Sequence, residues 1–149
     1  MDESAFRSAR DALTPLPCAF QNAMLAGACA CPLAARRNIA EREAVACASP
    51  AAGAACAELR ALLRQKSAFA LKLTRTDGPL SHAAEMKVEC GGLLGVQRAA
   101  VADGGVSTAD VHGLVRACAA RFGGLASLPY SDIVQSVAAY QIRRRRPQP

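Results

Sequence analysis

The chain has no tryptophan, and only 4% of its 149 residues are aromatic. The bulky side chains that usually fill the space between packed sheets are therefore scarce, and alanine supplies much of the 52% hydrophobic content. Alanine has the highest helix propensity and little bulk, whereas sheets favour β-branched and aromatic residues. This composition predicts closely packed helices. No run of eighteen apolar residues occurs, so no membrane-spanning helix is expected. The N-terminal segment lacks a basic stretch followed by an apolar core, so no secretory signal is expected either. The repeats of solenoids and the heptads of coiled coils are absent, as is the linker composition that would separate two domains. The phosphate-binding GxxxxGK[ST] loop, the GxSxG elbow and the Glu-x-x-His pairs of di-iron bundles are missing too, which removes three common routes to catalysis.

Charge of one sign is nearly balanced once its location is considered. The net charge is +6, but Arg143, Arg144, Arg145 and Arg146 stand together near the C-terminus. Without them, fourteen Lys and Arg face twelve Asp and Glu, a balance of +2. A broad nucleic-acid-binding face needs clustered charge on the folded body. Only the arginine tail offers that, to nucleic acid or to an acidic partner.

Punctuation along the chain sets out the helices. Ser4 to Leu13 reads as one, ended by Thr14-Pro15-Leu16-Pro17, and Cys18 to Ala26 as a short second, closed by Gly27. Pro32 suits a helix's first turn, so Leu33 to Ala46 is expected to be helical, with Arg37 and Glu41 paired at i,i+4. Ser49-Pro50 starts another helix, expected to reach about Leu73 with Leu59, Leu62, Leu63, Phe69, Leu71 and Leu73 on its apolar side. Asp77-Gly78 is a turn. Ser81 caps a segment to about Ala102 that Gly91-Gly92 either kinks or breaks, and Asp103-Gly104-Gly105 is the next turn. Ser107 or Thr108 caps a helix to Phe122, stopped by Gly123-Gly124, and Pro129-Tyr130-Ser131 opens the last. The expected fold is all-α, a compact bundle of about six or seven helices. It forms one domain over residues 1–142, with a basic, disordered tail at 143–149.

What the chain does have is cysteine, seven in all. An odd number of thiols without a secretory signal points to a reducing, cytoplasmic compartment and not to a disulfide framework. The C-x-x-C pairs of zinc ribbons and thioredoxins are absent. Cys29-Ala30-Cys31-Pro32 instead places two thiols in a connector before a helix start, where a thiolate gains from free backbone donors. Cys47 and Cys56 flank the Ser49-Pro50 turn, and Cys90 precedes Gly91-Gly92, where backbone can be closely approached. Four thiolates suffice for an iron–sulfur cluster. Cys29, Cys31, Cys47, Cys56 and Cys90 are therefore the candidate ligands of a cluster or of another thiolate-bound metal such as zinc. One obstacle is length: a straight helix from Cys31 to Cys47 would hold them about 24 Å apart. A shared site thus requires a break, around Asn38.

Cys118 sits in plain helix and reads as core, as Cys18 does at a helix start. His82 reads as a capping or surface residue. His112 has no cysteine at i+3 or i+4 and reads as structural. The functional expectation is a cysteine-rich, metal- or cluster-binding helical protein acting in electron transfer, redox sensing or metalloenzyme assembly with a protein partner. The alternative is a non-enzymatic helical interaction module whose cysteines are structural and whose arginine tail binds an acidic partner or nucleic acid. Whether a reaction is catalysed stays open, since a thiol enzyme needs a base beside one cysteine and sequence does not show proximity.

Overall fold

The computed structural model describes residues 2–13, 16–75, 77–100 and 107–142. The Asp103-Gly104-Gly105 turn and the four tail arginines lie outside the described residues. In order come α1 (Glu3–Leu13), α2 (Gln21–Leu25), β1 (Ala34–Ile39), β2 (Arg42–Cys47), α3 (Pro50–Ser67), α4 (His82–Met86), a π-helical turn (Lys87–Gly91), α5 (Gly92–Ala99), α6 (Val111–Phe122), a 3₁₀ turn (Leu125–Ser127) and α7 (Tyr130–Ala139). The chain is mostly helical, but it is not all-α.

The correction falls on residues 34–47. The expected helix from Leu33 to Ala46 is an antiparallel hairpin, with Ala34 opposite Cys47 and Ile39 opposite Arg42. Alanine, arginine and glutamate favour helix locally, but this segment is claimed on both faces. Ile39 and Ala44 pack with Phe6 of α1, while Val45 enters the main core. Residues 42 and 44 share one strand face, and 45 and 47 the other. The Arg42 guanidinium lies 3.6 Å from the Phe6 ring centroid and bonds Glu3 at 2.8 Å. The expected Arg37–Glu41 helix pair gives way to an ion pair across the hairpin, Arg36 to Glu43 at 2.9 Å. The turn at Ala40, whose φ is 56°, takes the place of the break sought near Asn38.

A second departure extends the hairpin. Leu16 to Cys18 run antiparallel beside β2: the Cys47 amide donates to Leu16 O at 2.7 Å and the Cys18 amide to Val45 O at 2.9 Å. Cys18 is therefore not in a helix, and α2 begins three residues later.

Local chemistry fixes the remaining ends. The Ser49 hydroxyl accepts from Ala52 N at 3.2 Å and Pro50 follows it. Leu59, Leu63, Arg64 and Ser67 form the buried stripe of α3, and Arg64 donates to Asp77 O and Gly78 O at 2.8 and 2.7 Å, pinning the loop beyond. The helix stops at Ser67, short of Leu73. Phe69, expected on its apolar side, is 96% exposed. Ser81 caps α4. At Gly91-Gly92 the helical backbone does not break: α4 runs through the π-helical turn directly into α5. The α6 cap is Asp110, whose carboxylate accepts from Gly113 N at 3.0 Å, one turn later than Ser107. Gly123, at φ 79°, ends that helix. The main core lies where α3, α5, α6 and α7 meet, around Leu59, Leu63, Leu93, Leu114 and Ile133.

Candidate functional site: a cavity lined by four thiols

The hairpin, its added strand and the start of α3 bring four cysteines to one small cavity. Cys18, Cys31, Cys47 and Cys56 line it together with Phe20 and His112. Each arrives for a traceable reason. Cys18 stands opposite Val45 in the added strand, and Cys47 lies two residues beyond Val45. The two thiols therefore share a face of the ribbon. Cys31 precedes β1 and its carbonyl accepts from Ala34 N at 3.1 Å, across the hairpin from Cys47. Cys56 lies in the second turn of α3. Gly53, one turn before it, packs against the neighbouring thiol: a Cβ there would stand 3.7 Å from Cys47 Sγ, an ordinary contact. Ala30 ties the connector to the start of α6, donating to Thr108 O at 2.9 Å and accepting from Val111 N at 3.0 Å. That bond sets His112 beside the cavity.

The five expected ligands therefore divide. Cys31, Cys47 and Cys56 come together. Cys29 and Cys90 do not line the cavity. Cys90 is buried within the π-helical turn, and Cys29 lies within electrostatic reach of Cys18 as well as of Cys90, Glu89 and Cys31. The residues that sequence reading missed are Cys18 and His112. The one local signal for Cys18 was Pro15 and Pro17, which disfavour helix and leave an extended segment free to pair. Nothing local marks His112. Cys118 is core as expected, fully buried with its thiol 3.6 Å from Val96 O. His82 is an exposed first-turn residue of α4.

The cavity leaves about 20 Å³ for the centre of a water-sized sphere, room for one or two waters. Among the described residues no group of three or more His, Cys, Asp or Glu stands in a metal-holding arrangement. The thiols surround a common void without closing on its centre. Burial pushes Cys18 up to about 11 and Cys56 up to about 12, with Cys31 and Cys47 raising both further and Cys18 adding to Cys56. Burial also pushes Cys29 up to about 12. For Cys18, Cys29 and Cys56 the protonated thiol is the form this fold prefers.

That preference has a sign. A group whose folded value lies above its unfolded one stabilises the fold fully below the unfolded value, and that contribution is lost as pH rises through the folded one. Three thiols raised from 9.0 should make thermal stability fall from about pH 9 upward, and Cys56→Ser should flatten part of that fall. A melting temperature that is level to pH 11, or equally steep in the variant, would contradict the assignment. At neutral pH maleimide should modify these thiols slowly, because the thiolate is the reactive form.

Beside the cavity lies a second, open feature. Glu89 is a buried carboxylate in the π-helical turn, 1% exposed. It accepts from Asn22 Nδ2 at 2.8 Å and from Ala23 N at 3.2 Å, and Arg60 Nε stands 3.8 Å away. Burial holds its carboxyl above the usual carboxylate range, against the lowering pull of Asn22, Ala23 and Arg60.

Comparison with protein-family models, with curated proteins and with solved structures returns no match. No helix among the described residues is long and apolar enough to cross a membrane.

Proposed function

We propose that the chain is a thiolate metal-binding protein and that Cys18, Cys31, Cys47 and Cys56 are its ligands. The observation that supports this is convergence: four thiols from four separate segments, the nearest nine residues apart in sequence, line one cavity. Purely space-filling cysteines have no reason to collect in this way. The donor set is that of a structural zinc or an iron–sulfur site. The size of the void favours a single ion over a preformed cluster, so zinc is the first candidate and a cluster the larger one. Cys18 and Cys31 lie on non-helical backbone, which lets both thiols draw inward to tetrahedral contact. A bound cation reverses this pKa logic, because a coordinating thiol gives up its proton. The role that suits such a site is to hold metal or pass it to a protein partner, as in metalloenzyme assembly.

The test is anaerobic purification followed by zinc, iron and sulfide assays and an absorption spectrum on one sample. One metal equivalent per chain is expected, lost on alanine substitution at Cys18 or Cys56 and kept in Cys29→Ala and Cys118→Ala. A metal-free chain that takes up neither zinc nor a reconstituted cluster would sink the reading, as would binding that depends on Cys29 and Cys90 but not on Cys18. One observation favours the alternative, an interaction module with structural thiols. Phe69 is 96% exposed in a stretch with no acidic residue between Leu59 and Thr76, a surface suited to an acidic partner.

A further inference from the structure

The open cleft next to the thiol cavity has a chemistry of its own. It offers about 360 Å³ and is lined by Cys18, Gln21, Asn22, Arg60 and Glu89 among others. Within it, Arg60 Nε faces the Glu89 carboxylate. Among the described residues Arg60 has no other hydrogen-bond or ion-pair partner, so both Nη groups are unspent. A guanidinium steadied from behind by a buried carboxylate, with its fork free, matches the bidentate geometry of a carboxylate. Glu89 is itself fixed by Asn22 and Ala23, so the fork is oriented before any ligand arrives. Arg60 also lies one turn beyond Cys56 on the same face of α3. Cys18 is the one cysteine that lines both the cavity and the cleft.

We propose that this cleft docks a small carboxylate-bearing thiol, with its carboxylate on the Arg60 fork and its sulfur beside Cys18, and that metal carried on that sulfur passes to Cys18. The hand-over rests on the metal-binding reading above; the docking does not. In the exchange the carrier's sulfur–metal bond breaks as the Cys18 sulfur–metal bond forms. The Cys18 proton goes to the released carrier thiolate, and no oxidant or reductant is consumed. Cys18 then presents the ion to Cys31, Cys47 and Cys56 inside the cavity.

Reduced glutathione and its zinc complex are suitable probes. The first measurement is metal-free: glutathione binding to the full chain, to Arg60→Gln and to Arg60→Lys, followed by calorimetry. Arg60→Lys keeps a cation for Glu89 and guards against a variant that fails to fold. Loss of the fork should weaken binding about tenfold in Arg60→Gln, the size of one charge-assisted contact, with Arg60→Lys between. The second measurement is the rate of zinc uptake. From the glutathione complex it should slow by a similar factor in Arg60→Gln, while uptake from hydrated zinc and the final stoichiometry stay unchanged. Equal glutathione binding by all three proteins, or by none, overturns the docking site. Equal slowing from both zinc sources overturns the hand-over. Glutathione binding that depends on Arg60, in a chain that takes zinc from neither source, upholds the docking and removes the metal reading beneath it.

Discussion

Glu89→Ala is expected to lower the free energy of unfolding by about 3 kcal/mol, the lower end of what breaking a buried charge pair costs. The carboxylate is 1% exposed, accepts from Asn22 and Ala23 and pairs with Arg60. Its loss strands the Ala23 amide, worth roughly 1–3 kcal/mol when buried without an acceptor. Asn22 keeps one acceptor, Glu85 at 3.1 Å. Arg60, with a quarter of its side chain exposed, can turn to water, which holds the total to the lower end. For a chain of this size the melting temperature should fall by roughly 6–12 °C. Glu89→Gln separates charge from shape. Because the folded carboxyl sits above its ordinary value, its contribution is full below the usual carboxylate range and declines as pH rises through the raised value. The wild type should therefore compare best with Glu89→Gln at about pH 4 and less well at pH 7. Melting both across that interval checks the sign; a wild-type advantage that grows with pH would mean that the carboxylate, and not the acid, is the favoured form.

The second large effect belongs to Gly91. A Cβ there would lie 2.8 Å from both Ser136 O and Val137 Cα of α7, and 2.9 Å from Tyr140 Cβ. Two of those neighbours are backbone, so relief requires α7 itself to move. Overpacking of this kind costs typically 1–3 kcal/mol, partly offset by alanine's helical advantage of about 1 kcal/mol over glycine. Gly91→Ala should thus be destabilised by up to about 2 kcal/mol in urea unfolding. Gly92 is the internal control. Its Cβ would meet a side-chain tip, Leu63 Cδ1 at 2.7 Å, which a rotamer change can withdraw, so Gly92→Ala should lose less. The reverse order would show that the close approach of the π-helical turn to α7 is not what Gly91 serves.

The contrast between Gly91 and the hairpin shows what a sequence carries locally. The starts at Ser49-Pro50 and Ser81, and the stop at Gly123-Gly124, were legible because one or two residues supply the capping chemistry or the backbone freedom. The last helix was legible from Pro129-Tyr130. Residues 34–47 were not, because no short-range signal opposes helix in Ala-Ala-Arg-Arg. What decides their state is Leu16 and Cys18 taking the free edge of β2, together with Phe6 taking one face, contacts that span more than two dozen residues. The thiol site inherits that difficulty. Cys31, Cys47 and Cys56 were legible as candidates from their connector and turn positions, but the hairpin that joins them was not. Cys18 depended on a register that only the folded chain displays. Cys29 and Cys90 were included on spacing and on a glycine pair. Those glycines in fact serve helix packing.

The same hairpin has a bearing on how copies of the chain behave toward one another. The added strand shields one border of β2, but among the described residues β1 pairs with no strand except β2. Its outer border is a row of backbone donors and acceptors of the kind that recruits foreign strands into aggregates. Arg36, Arg37 and Asn38 stand exposed along that border, and like charges brought together by docking copies would repel. With Arg36 already paired to Glu43, Arg37 is, among the described residues, the unneutralised charge that guards this border against a second copy.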